Sequence, residues 1–160
     1  MTEAARALGN RLRERSLTIS VAESCTAGGL AHEITRVPGA SEYFLGGVIA
    51  YDDDVKVGLL KVPASTLGQF GAVSAETAGA MADACRRLFA TDIAVSITGI
   101  AGPGGGTPQK PVGTVFVAMV GEGEARGLRL SLSGPRDAVR AQAVEAALTL
   151  TLSFLGETPG

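Results

Sequence analysis

Short apolar runs alternate along this chain with segments of helical period, and that alternation most narrows what it can fold into. Residues 17–22 (LTISVA) and 92–98 (DIAVSIT) are brief, β-branched and apolar, which suits strands buried on both faces. Residues 43–51 form another strand-like run. Helical spacing recurs at Ala4, Ala5, Leu8 and Leu12 within 3–14, and at Ala78, Met81, Ala82, Cys85 and Leu88 within 74–89. Ser74-Ala75-Glu76-Thr77 supplies a capped start for the second of these. Shorter helices are expected from Asp52-Asp53-Asp54 through Lys56 to Leu60 and over 63–70, and a long one over 135–155. Residues 112–120 and 127–132 read as an antiparallel hairpin around Gly121-Glu122-Gly123-Glu124. Strand–helix alternation ending in a hairpin predicts an α/β protein. It is expected to be a single three-layer domain over 1–160, core about 5–155, with a mixed, partly parallel sheet flanked by helices. Residues 157–160 are expected to fray.

Charge and cysteine content remove several classes of function. A formal net charge of −2 leaves no overall electrostatic footprint for nucleic acid or a membrane surface. Cys25 and Cys85 are too few for a disulfide framework or a zinc site with paired ligands, so reduced thiols and no metal are expected. Arg6, Arg11, Arg13 and Arg15 precede no apolar core of a secretory signal. No apolar stretch approaches the roughly 20 residues that cross a bilayer. A cytoplasmic protein is the expectation.

Ser24 is the first candidate for chemistry. It stands at the end of a strand, before Ala27-Gly28-Gly29 and a helical run to Thr35. Ligands gather at strand ends in open α/β sheets, and a helix start there offers N–H groups to an anion. An ordinary N-cap role for Ser24 or Thr26 accounts for the same residues. His32, two turns into that helix, points away from the strand end, which disfavours a Ser-His-Asp arrangement. Among Lys56, Lys61 and Lys110, only Lys56 follows closely on a strand end. An ordinary lysine titrates near ~10.4, so a lysine base requires burial to favour its neutral form, and nearby aspartates oppose that. A solvated pair with those aspartates is the alternative for Lys56.

The run Thr98-Gly99-Ile100-Ala101-Gly102-Pro103-Gly104-Gly105-Gly106 is too glycine-rich for regular structure. Its amides can approach an anion closely, although it matches neither the Walker pattern nor the dinucleotide fingerprint. Arg136 and Arg140, four apart, suit a phosphate or simply solvent.

Taken in order, these segments resemble the CinA C-terminal domain family of nicotinamide-nucleotide amidohydrolases. Ala22-Glu23-Ser24-Cys25-Thr26-Ala27-Gly28 is similar to that family's AESCTGG signature, and residues 51–56 (YDDDVK) to its Tyr-x-x-x-x-Lys segment. Gly71-Ala72-Val73-Ser74, the TGIAGP run at 98–103, Lys110-Pro111-Val112-Gly113 and the stretch from Gly134 to Arg140 correspond to further family segments. The resemblance spans about 5–155. It implies deamidation of nicotinamide mononucleotide to nicotinate mononucleotide and ammonia, without metal or cofactor. It carries the nucleophile onto Ser24 and the base onto Lys56, with Tyr51 and Thr98 as site neighbours. Substrate contacts are expected from Thr26, Gly28, Gly99, Gly102, Arg136 and Arg140, and the oxyanion is expected on N–H groups around Thr26 and Ala27. Ala27 and the aspartate run depart from the usual pattern. Longer members carry a further N-terminal domain, which implies a stand-alone form, and a homodimer is the default. A catalytically silent nucleotide-binding module and a Ser-Lys peptidase are the rival readings.

Overall fold

The computed structural model describes residues 1–156; the fraying expected for 157–160 lies outside them. Its elements run α1 (Glu3–Glu14), β1 (Ile19–Glu23), α2 (Gly29–Thr35), a 3-10 turn (Ala40–Glu42), β2 (Phe44–Ile49), α3 (Asp53–Gly58), α4 (Ala64–Phe70), α5 (Ala75–Phe89), β3 (Ile93–Gly99), β4 (Thr114–Gly121), β5 (Glu124–Ser131) and α6 (Arg136–Phe154). The sheet has five strands in the order β2-β1-β3-β4-β5. β1 is parallel to both β2 and β3, whereas β3–β4 and β4–β5 are antiparallel. This is the mixed, partly parallel α/β domain that the strand–helix alternation predicts.

Side-chain size sorts the helices onto the two faces. Ile19, Val21, Val95, Ile97, Val115 and Val117 point to one face, where α1, α2 and α6 add Leu8, Leu12, Leu30 and Leu148. The opposite face carries small residues, Ala22, Ala94 and Ala118, against Ala78, Met81, Ala82 and Cys85 of α5. Small groups on both sides let α5 lie close to the sheet, and buried Ser96 Oγ donates to the Ala78 carbonyl at 2.5 Å. Thus α2 crosses one face on the way to β2, and α5 the other on the way to β3. That divergence at β1 is a topological switch point, where a crevice opens beyond the strand ends.

The hairpin is tighter than expected. β4 and β5 meet around Glu122-Gly123, with φ +71° at Gly123, and β5 starts three residues earlier than the sequence suggests. Its early residues are exposed and partly charged, so they carry no strand-like apolar signal. Val112 and Gly113 stay outside β4. Gly113 has φ +92°, and a Cβ there would lie 1.9 Å from the Leu132 carbonyl oxygen.

Candidate active site

Because β1, β2 and β3 run parallel, their C-terminal ends share one edge, and the segments leaving them surround a cavity of about 290 Å³. Ser24 comes from the turn after β1, Lys56 from α3 beyond β2, and Thr98, Gly99 and Gly102 from the end of β3 and its loop. Arg136, the first residue of α6, completes the mouth.

The Ser24 turn is built by Glu23. This carboxylate is 1% exposed and accepts from Thr26 Oγ1 at 2.6 Å and from the N–H groups of Gly28, Leu30 and Ala31 at 3.1, 3.0 and 2.8 Å. It therefore caps α2 from the preceding strand, and the helix starts only at Gly29, behind consecutive left-handed residues Ala27 (φ +50°) and Gly28 (φ +96°). Neither Ser24 nor Thr26 is the N-cap of α2. The Ser24 N–H holds the Ile97 carbonyl at 2.9 Å, while its hydroxyl has no hydrogen-bond partner among the described residues.

Two expectations are corrected here. Most of the expected oxyanion donors at the start of α2 are taken, because Glu23 occupies the N–H groups of Gly28, Leu30 and Ala31 and the Ala27 N–H goes to the Ser24 carbonyl at 3.1 Å; only the Thr26 N–H is left without an acceptor among the described residues. The Thr26 hydroxyl and the Gly28 N–H donate to Glu23, and neither residue lines the cavity. Arg140 is likewise elsewhere: it donates to the Thr26 carbonyl at 3.0 Å and borders a second groove of about 260 Å³ shared with His32.

Lys56 is 1% exposed, so its aliphatic stem is fully enclosed. Its Nζ donates to the Tyr51 carbonyl at 3.2 Å and to Asp53 Oδ1 at 3.3 Å. An ammonium has three donors, so these contacts leave one for the cavity. Ser24 and Lys56 line the same space without a hydrogen bond between them. Catalytic contacts are often long in unliganded sites and close when substrate binds.

Around this pair, Thr98 Oγ1 donates to the Ala72 carbonyl at 2.8 Å and ties down the 71–73 segment. Arg136 donates to the Gly102 carbonyl at 2.7 Å and to the Tyr51 hydroxyl at 2.8 Å, joining two walls. Gly102 has φ +80°, and a Cβ there would strike Val112 Cγ1 at 2.5 Å. The N–H groups of Ala101, Gly102, Gly104 and Gly105 have no acceptor among the described residues. No group of three or more metal-ligating side chains occurs among those residues.

Cys25, Asp53, Ala72 and Val73 also line the cavity, although the motifs did not single them out as site residues. Their signal was present only as neighbours of Ser24, of Lys56 and within the Gly71–Ser74 segment. Burial is the largest influence on the Cys25 thiol and, opposed by its own backbone N–H, pushes it from 9.0 up to about 11. The thiol form therefore prevails at neutral pH, which disfavours Cys25 itself as a nucleophile.

A family model of the CinA C-terminal domain matches residues 1–155. The chain belongs to the CinA C-terminal domain family. A Desulforudis audaxviator protein named for competence-damage induction is 53% identical over 92% of this chain and 36% of its own length. A CinA-like protein of Citrifermentans bemidjiense is 48% identical over 93% of the chain and 37% of its own. The chain thus spans little more than a third of the length of these CinA relatives. The crystal structure of the competence/damage inducible protein CihA from Agrobacterium tumefaciens superposes with a TM-score of 0.93 at 36% identity, covering 97% of this chain and 94% of that one. A CinA superfamily structure from Klebsiella pneumoniae gives 0.92 at 33% identity, covering 96% of each chain.

Proposed function

We propose that this domain hydrolyses the carboxamide of nicotinamide mononucleotide, releasing ammonia and nicotinate mononucleotide in the recycling of pyridine nucleotides. The supporting observation is an unpartnered Ser24 hydroxyl and an enclosed Lys56 amine lining one cavity. Ser24 Oγ attacks the carboxamide carbon as neutral Lys56 takes its proton. The proton passes to the leaving ammonia, and water then hydrolyses the acyl-enzyme. The N–H groups of Cys25 and Thr26, neither of which has a backbone acceptor among the described residues, offer donors for the oxyanion. The 5′-phosphate rests on the unpaired amides of the 101–105 loop with Arg136 beside it. Thr26, Gly28 and Arg140 serve the site from behind by holding the turn. Among the described residues no helix is long and apolar enough to cross a membrane; we place the activity in the cytoplasm, in a homodimer.

Ser24→Ala is expected to abolish ammonia release while leaving the circular dichroism spectrum and unfolding midpoint unchanged. Near-normal turnover in that variant removes Ser24 as nucleophile. The absence of a Ser24–Lys56 hydrogen bond favours one alternative, a silent nucleotide-binding module. That alternative predicts binding of the nucleotide by the unmodified protein without any ammonia.

A further inference from the structure

The three consecutive aspartates have different fates. Asp52 precedes α3 and accepts the Asp54 N–H at 2.8 Å, which is a capping role. Asp54 does not reach the cavity, whereas Asp53 lines it and is the only carboxylate that does so among the described residues. Its side chain is 62% exposed; Oδ1 meets Lys56 Nζ at 3.3 Å, and Oδ2 accepts no hydrogen bond among those residues. The other charges lining the space, Lys56 and Arg136, are cationic.

We infer that Asp53 is a specificity-determining residue that selects a cationic ring over an uncharged isostere at the carboxamide end of the cavity. The inference rests on the deamidation reading and narrows its substrate class. As base, Lys56 enters the reaction neutral, so Asp53 faces the cavity without its ammonium partner and a pyridinium supplies the missing positive charge. When the proton moves from Ser24 Oγ to Lys56 Nζ, the carboxylate stabilises both the ring and the new ammonium. An uncharged ring offers only the second interaction. Effects of the substitution that fall equally on both ligands cancel in their ratio. In so open a position solvent screens the carboxylate, so the preference amounts to about five- to tenfold.

The test uses Ser24→Ala, which binds without turnover, alone and combined with Asp53→Asn or Asp53→Glu. Calorimetry compares nicotinamide mononucleotide with the benzamide C-nucleotide, which has the same carboxamide, ribose and phosphate on an uncharged ring. The measurements are made at neutral pH in low salt, where screening of the carboxylate is least. Asp53→Asn should weaken the cationic ligand about five- to tenfold relative to the uncharged one, Asp53→Glu should restore the preference, and molar salt should erode it. An unchanged ratio, or no binding of either ligand, overturns the inference. Ammonia release by the unmodified protein is measured alongside. Release with an unchanged ratio sinks the role of Asp53 and spares the deamidase, while a ratio that depends on Asp53 without release does the opposite.

Discussion

Ala27 holds φ +50° immediately after the Ser24 turn, where its Cβ crowds the following carbonyl. That conformation costs an L-residue about 1–2 kcal/mol, and the position is exposed, so no side-chain packing offsets it. Replacement by glycine relieves the crowding but adds freedom to the unfolded chain. We expect Ala27→Gly to stabilise the protein by about 0.5–1 kcal/mol, read from the urea midpoint. Equal or lower stability counts against strain at this turn. The departure from the family signature was legible in the sequence, but its sign depended on a dihedral angle that no composition reveals. Cys25 gives a second prediction at this scale. Its thiol is raised from 9.0 to about 11, so across that window the unfolded chain loses the proton first. Stability present below pH 9 therefore falls as pH rises toward 11, by about 3 kcal/mol in total. Cys25→Ala should flatten that part of the stability–pH curve; an equal alkaline loss in both proteins refutes the assignment.

The start of α2 shows what local sequence rules miss at the scale of an element. Those rules look for Ser, Thr, Asp or Asn at the first turn, and Ser24 and Thr26 fit them well. The acceptor is instead Glu23, the last residue of β1, reaching over the turn to Gly28, Leu30 and Ala31. A strand-end carboxylate becomes a cap only when the strand and helix pack together, so three-dimensional placement decided it. Glu23→Gln puts a donor among four donors. It should cost about 2–3 kcal/mol, visible in thermal unfolding, and, under the proposed activity, lower ammonia release by loosening the Ser24 turn. A neutral outcome on both measurements removes Glu23 as the organiser. The hairpin teaches the converse: Gly121, Glu122 and Gly123 announced the turn, but the exposed start of β5 lacked the apolar pattern that marks a strand.

Across the whole molecule, strand–helix alternation conveyed the layered α/β architecture and the family segments conveyed which loops belong together. The close seat of α5 was not legible, because it depends on small residues from separate segments meeting face to face. Ala78 and Ala82 of α5 are fully buried beside Phe116 and Ala118 of β4. Ala82→Leu should therefore overpack this face and cost about 1–3 kcal/mol in a urea titration. A tolerated leucine there means α5 has room to move. Ser24, Lys56, Thr98 and Arg136 reach their common space from four separate stretches of chain, each anchored by its own strand or helix. Variation can therefore reshape one rim while the remaining walls keep their footing. A scaffold wired in this way is suited to changing what it accepts through edits confined to a single stretch, with no redesign of the frame beneath.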